Sequence, residues 1–151
     1  MSASEHKMIV VLHNSALYWK AVDLRTKILR IPLRLSFTQE ELLKENDQLH
    51  FVYLKNETVI ATLALKPVSK TNMKMRQVAV VDSAQKTGIG RKLVEFSEEH
   101  ARNNGYTMME CNARKVAIPF YLKQGYQIEG DEFTEVNIPH FRMVKHLLPN
   151  K

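Results

Sequence analysis

The chain has a single cysteine, Cys111, among 151 residues. One thiol excludes an internal disulfide framework and any CxxC zinc site. Five glycines and five prolines exclude collagen-like and low-complexity chains. No apolar run is long enough to span a bilayer. The longest near the N-terminus, residues 8–12, is also too short for the core of a signal peptide. The six histidines show no HxxxH or HExxH spacing, so no metal site is expected. These absences leave a soluble, cytoplasmic protein of one domain, residues 1–151, with no membrane partner, as the expectation.

What is present is charge, unevenly placed. Lysine and arginine number 22 against 16 acids, a net charge of +6. Residues 66–92 hold Lys66, Lys70, Lys74, Arg76, Lys86, Arg91 and Lys92 but one acid, Asp82, so this segment alone carries the whole excess. A local surplus of this kind suits an anionic ligand near one strand and loop. The common alternative is a solvated face. No basic helix, zinc-finger spacing or aromatic RNA-binding signature accompanies it, which argues against a nucleic-acid partner.

Patterning predicts a mixed α/β chain. Residues 8–12 read as a strand. Asn14 or Ser15 caps a helix running to about Arg30, which Pro32 stops. Thr38-Gln39-Glu40-Glu41 opens a short second helix as a capping box. Residues 49–54, 58–65 and 73–81 read as strands, with Lys55-Asn56-Glu57 turning the first into the second. A polar, glycine-bearing loop follows. From Ile89 the apolar positions Leu93, Phe96 and Ala101 mark one helical face, and Asn103-Asn104-Gly105 stops it. Residues 107–112 form a strand. A short helix then begins late, because Pro119 is tolerated only in a first turn, and stops at Gly125. Residues 126–129 and 140–147 are the last expected strands.

The sharpest local feature is Gln85-Lys86-Thr87-Gly88-Ile89-Gly90, which follows a strand and opens a helix. Glycines there let a ligand approach the backbone, and the free N–H groups of a first helical turn point at it. Lys86, Arg91 and Lys92 surround the turn, a combination that favours a phosphate or pyrophosphate. No Gly-Lys-Ser/Thr closes a Walker loop and no GxGxxG is present. The alternative is a plain strand-to-helix turn.

Three blocks resemble the GNAT superfamily of acetyl-CoA-dependent N-acyltransferases. The first is Arg76-Gln77-Val78-Ala79-Val80 with Gln85-Lys86-Thr87-Gly88-Ile89-Gly90, similar to the family's Q/R-x-x-G-x-G/A. The second is Asn112-Ala113-Arg114. The third is Phe120-Tyr121-Leu122-Lys123-Gln124-Gly125-Tyr126, similar to F-Y-x-K-x-G-F/Y. The strong match covers about residues 73–128, while residues 29–45 and Ile138-Pro139-His140 look like a small bacterial-type subgroup.

The resemblance implies a mostly antiparallel central sheet flanked by helices, with a central β-α-β unit that binds coenzyme A. It implies acetyl-CoA as cosubstrate and an amine, on a small molecule or a protein, as acceptor. By the same resemblance, Val78, Ala79 and Val80 would offer backbone groups to the pantetheine arm. Gln85, Lys86, Thr87, Gly88, Ile89, Gly90 and Arg91 would hold the pyrophosphate. Asn112 would lie by the pantetheine or acyl end, Lys123 by the adenosine, and Tyr121 would protonate the leaving thiolate. Lys86 stands where the family commonly has glycine. The strand over residues 73–81 also lacks the glutamate that some relatives use as a base. Glu110 and His140 are then the candidate bases, each with a plainer reading as a solvated strand residue and a hydrogen-bonded turn residue. Cys111 reads as a small buried hydrophobe rather than a nucleophile, and Tyr18, Trp19, Phe37 and Phe51 as core. The leading expectation is acetyl transfer by direct attack of an amine on the thioester. The rivals are a CoA-binding sensor without catalysis and a basic nucleic-acid-binding module. Acceptor identity stays open, as does a homodimer.

Overall fold

The computed structural model describes residues 4–148. The elements in chain order are β1 (His6–Val11), α1 (Ala16–Arg25), α2 (Gln39–Leu43), β2 (Leu49–Lys55), β3 (Thr58–Pro67), β4 (Asn72–Val80), α3 (Ile89–Asn103), β5 (Met108–Arg114), α4 (Ile118–Leu122), β6 (Gln127–Ile128), β7 (Phe133–Glu135) and β8 (Ile138–His146). The fold is mixed α/β, with eight strands in a mostly antiparallel sheet flanked by helices. The chain gathers into two compact units, one of residues up to Lys66 with Gln77–Ser97, the other of Pro67–Arg76 with everything from Glu98 on. No helix among the described residues is long and apolar enough to cross a membrane.

In the first unit β1 and β2 pair antiparallel from His6↔Lys55 to Val11↔His50, and β2 and β3 from Leu49↔Leu65 to Lys55↔Thr58. The apolar side chains Val11, Ala21, Leu24, Val52, Leu54 and Val59 close a core between α1 and these strands. Ser15 caps α1, its Oγ accepting from the Tyr18 N–H at 3.2 Å. The helix does not run regularly to Arg30. It widens into a π-turn over Thr26–Arg30, then tightens at Ile31–Leu33. The Ile31 N–H reaches back five residues to Thr26 O, Pro32 has no N–H to continue a regular ladder, and Thr26 Oγ1 donates to Val22 O at 2.6 Å beside the backbone bond there. Thr38 and Glu41 form the expected capping box, each backbone N–H meeting the other's side chain at 3.1 Å. Tyr18 and Phe51 are core. The buried Glu45 carboxylate accepts from Arg25 Nη2 at 2.5 Å and from the Tyr18 hydroxyl at 2.7 Å. Trp19 is instead exposed, its Nε1 donating to Asn14 Oδ1, and Phe37 lies against the guanidinium groups of Arg25 and Arg30.

In the second unit β5 is the axis. It runs parallel to β4 from Asn72↔Met108 to Met75↔Cys111, and antiparallel to β8 from Met108↔His146 to Arg114↔His140. β6 and β7 also pair with β8. β7 was not expected from sequence, and β8 starts earlier than read, at Ile138. A tight turn at Val136 (φ 45°) and Asn137 (φ 65°) joins β7 to β8. Two consecutive positive φ values fit the two-residue hairpin geometry normally filled by Asn-Gly. A β-branched residue in the first position gives no such signal, so the sequence does not mark the hairpin.

Candidate active site

The first unit supplies the phosphate-type loop. β4 ends at Val80, and Asp82–Ala84 form one tight turn. Gln85 folds back so that its Nε2 donates to Val80 O at 3.0 Å and to Asp82 Oδ1 at 3.2 Å, while Thr87 Oγ1 donates to Ala84 O. Gln85 and Thr87 therefore shape the loop from inside. Lys86 takes a left-handed conformation, φ 65°, so the lysine in the family's glycine position adopts the backbone a glycine would. Gly88 has φ +90°, and a Cβ built on it meets nothing nearer than Arg91 Nη2 at 3.8 Å. The space above Gly88 is open and only its backbone demands glycine. Ile89, Gly90 and Arg91 form the first turn of α3, whose N–H groups have no acceptor within the helix. Lys86, Arg91 and Lys92 are exposed, and Arg91 meets Glu95 at 3.4 Å in a solvated pair of little energetic weight. Open backbone, free N–H groups, a 15-residue helix and three cations make this loop fit a pyrophosphate. Val78, Ala79 and Val80 lie in β4 just after Gln77, whose φ of 56° breaks the regular extended backbone. Glutamine carries no sequence signal for that kink.

The second unit holds Glu110, Asn112, Tyr121, Lys123 and His140, and the pleat of β5 sorts them. Met109, Cys111 and Ala113 are buried on one face, and Met108, Glu110, Asn112 and Arg114 project from the other. Across the ladder Asn112 faces Arg142 and Arg114 faces His140, so these four share the second face.

On the Cys111 face, Tyr121 is buried at 6% exposure, edge-on to Phe120 and Tyr126 with ring centroids 5.0 and 5.5 Å away. Burial, reinforced by the nearby Cys111 sulfur, holds its phenol pKa well above the usual value, so the hydroxyl stays protonated at neutral pH. Burial, with Glu110 adding to it, pushes the Cys111 thiol up to about 12, which removes it as a nucleophile. Beneath these rings the buried Glu98 carboxylate accepts from the Tyr126 hydroxyl at 2.7 Å and from Lys145 Nζ at 2.9 Å. Gly125 (φ +92°) ends the turn after α4, with the Tyr126 N–H returning to Tyr121 O. Lys123 caps α4 at the surface.

On the other face, Glu110 is bound by Arg142, which also grips Glu129. The two carboxylates, Glu110 first, hold the guanidinium above its ordinary pKa despite partial burial. His140 is 3% exposed. Its Nδ1 donates to Ile138 O at 2.9 Å, its Nε2 lies 3.5 Å from Glu135 Oε2, and Phe133 stacks on it at 5.9 Å. Arg142, Glu135 and Phe133 were missed from sequence. A cross-strand register could have found Arg142, whereas the other two depend on the unread hairpin. Among the described residues no group of three or more His, Cys, Asp or Glu side chains is disposed to hold a metal ion.

The family model described as "Acetyltransferase (GNAT) domain" matches residues 34–147. The chain belongs to the GNAT acetyltransferase family. It is 32% identical over 114 residues to the uncharacterized protein YyaT of Bacillus subtilis, covering 76% of each chain. Its fold is similar to an acyl-CoA N-acyltransferase from Pseudomonas aeruginosa, with TM-score 0.79 and 18% identity over 93% of this chain and 99% of that one. It is also similar to a GNAT family acetyltransferase from Elizabethkingia anophelis with acetyl-CoA bound, with TM-score 0.74 and 16% identity over 94% and 98%. Family membership carries acyl transfer from acetyl-CoA as the general activity.

Proposed function

We propose that this GNAT protein transfers an acetyl group from acetyl-CoA to an amine by direct attack on the thioester, with no covalent enzyme intermediate. The observation that carries this reading is the Gln85–Gly90 loop: open backbone over Gly88, the free first turn of α3 and three exposed cations, a cradle suited to the coenzyme A pyrophosphate. Gln85, Lys86, Thr87, Gly88, Ile89, Gly90 and Arg91 hold that group by backbone and charge. Val78, Ala79 and Val80 offer main-chain partners to the pantetheine amides, Asn112 serves the acyl end and Lys123 the adenosine end.

Tyr121 supplies the proton that leaves with sulfur. Its buried phenol is protonated at neutral pH, which a donor must be. Of the two candidate bases, Glu110 has its carboxylate engaged by Arg142, while His140 has one ring nitrogen tied to a backbone carbonyl and the other directed at a carboxylate. That arrangement supports His140 as the group that handles the amine proton. The overall balance is simple. The ammonium gives up one proton before attack and a second as the tetrahedral adduct collapses to amide. One proton ends on the thiol and one is released.

The test measures free thiol released from acetyl-CoA against a panel of amines, with thermal stability measured in parallel. Acetyl-CoA in excess should raise the melting temperature, since a ligand of the folded state stabilises it by mass action, and at least one amine should accelerate thiol release. Unchanged stability and no heat of binding would remove the cosubstrate assignment. Binding without turnover would leave a CoA sensor.

A further inference from the structure

We infer that Glu135 is the residue that receives the acceptor's ammonium group, with His140 behind it as the group that takes the proton. The inference rests on the acetyl-transfer reading above. It starts from a contrast in exposure: the His140 side chain is 4% accessible and that of Glu135 is 48%. A dissolved amine reaches the carboxylate before it reaches the ring. The ring is held from three directions. Nδ1–H donates to Ile138 O at 2.9 Å, Phe133 stacks on one face, and Nε2 stands 3.5 Å from Glu135 Oε2. Since the carbonyl can only accept, the proton of a neutral ring sits on Nδ1, and Nε2 is left as the basic nitrogen facing Glu135.

The hairpin gives this pair its rigidity. Glu135 is the last residue of β7, opposite Ile138, and Phe133 lies opposite His140. The two-residue turn forces Val136 to a φ of 45°, where a β-branched residue is strained. A longer or looser turn would remove the strain and release the carboxylate from the ring.

Location supplies the second argument. His140 lies opposite Arg114, two residues beyond Asn112, on the same face of β5. The β4–β5 ladder stops at Met75↔Cys111, so Asn112 and Arg114 lie past the carboxyl end of a parallel pair, a position where sheets with parallel strands leave room for ligands. Among the charged neighbours, burial lowers the Arg114 pKa and Glu135 works against that shift. Lys115 pairs instead with Glu132 at 3.4 Å. A primary amine that is cationic at neutral pH would bind its ammonium N–H to Glu135. One proton then passes to His140 Nε2, leaving an imidazolium beside a carboxylate and a neutral amine free to attack the thioester carbonyl.

The experiment follows thiol release from acetyl-CoA by aminolysis with n-butylamine, 1,4-diaminobutane and lysine methyl ester as probes. Wild type is compared with Glu135→Gln, His140→Asn, their double variant and Glu132→Gln. Glu135→Gln should raise KM for the amine about tenfold or more, the loss of one charge-assisted hydrogen bond, with KM for acetyl-CoA within about twofold of wild type and folding unchanged. The double variant should be no worse than the poorer single, because the two residues act as one unit. Glu132→Gln should leave the amine KM unchanged. Equal amine KM in Glu135→Gln and wild type, or an equal rise in Glu132→Gln, overturns the inference. So does a wild-type protein that is stabilised by acetyl-CoA yet acetylates none of these amines. A protein indifferent to acetyl-CoA overturns the underlying reading instead.

Discussion

Tyr121 shows how one side chain's environment decides its protonation state. A phenol in water has a pKa of about 10 and already donates at neutral pH. Burial beside Phe120, Tyr126 and Cys111 removes the solvent that would stabilise a phenolate, so the ground state is the acid. The coenzyme A thiol, like a cysteine, has a pKa of about 8.5 and leaves poorly as a thiolate in a dry site. Tyr121→Phe keeps the ring and its edge-on contacts while deleting only the donor. It should lower turnover on the order of 10²-fold with acetyl-CoA affinity and stability little changed. Turnover equal to wild type, in an assay limited by chemistry, would assign the proton to water. The same burial that keeps Tyr121 protonated makes Cys111 inert. The two buried groups thus differ in standing, because a proton donor must be protonated whereas a thiol nucleophile must be ionised.

At the scale of elements, the loop before α3 and the β7–β8 hairpin carry the unusual backbone of the proposed site, and they were not equally legible. The loop was readable because its chemistry is written in residue types: glycines between a strand and a helix, cations at the helix start, a valine-rich strand before it. The late start of α4 at Pro119 and the capping box at Thr38 were readable for the same reason. The β7–β8 hairpin was not, because Val136 occupies a conformation that valine disfavours and only tertiary pairing imposes it. The kink at Gln77 and the π-turn after α1 are likewise products of context. Glu110, Asn112, Tyr121 and His140 were all named from sequence, but their division between two faces of β5 emerges only from the register with β8. The loop is testable as an element. Gly88→Val should lose coenzyme A affinity, since a φ of +90° strains a β-branched residue by about 1–2 kcal/mol and the loop will shift to relieve it. Lys86→Gly should do the reverse to the backbone, matching its φ of 65° without strain, and leave stability at or above wild type. Its affinity should fall about three- to tenfold near 0.05 M salt and converge on wild type near 1 M, where screening removes the charge contribution. A salt-independent loss in Lys86→Gly would mean that the side chain makes a specific contact instead.

For the whole molecule, the buried hydroxyls and thiol set an alkaline limit on the fold. Tyr18, Tyr121 and Tyr126 all have phenol pKa values pushed up chiefly by burial, with Glu45 and Glu98 adding to the first and last, and Cys111 is pushed up to about 12. Unfolded, these groups titrate near their ordinary values, about 8.5 for the thiol and about 10 for the phenols. Above about pH 8.5 the unfolded chain therefore binds fewer protons than the native one. The pH dependence of the unfolding free energy has the sign of the protons bound unfolded minus those bound folded, so it is negative and stability falls as pH rises. The stabilisation contributed by these neutral buried groups is fully present at neutral pH and is lost above the unfolded values. With four groups engaged the slope approaches about 5 kcal/mol per pH unit above pH 10, enough to unfold a domain of ordinary stability within one to two units. Denaturant titrations from pH 7 to 11 should show a flat midpoint to about pH 8.5 and then a steep decline. Tyr18→Phe and Tyr121→Phe should each remove one proton's worth of the slope. A midpoint that stays level through pH 11 would mean that these hydroxyls ionise inside the folded protein. In that case the dry environment assigned to Tyr121, and with it the reason for proposing it as the acid, would have to be abandoned.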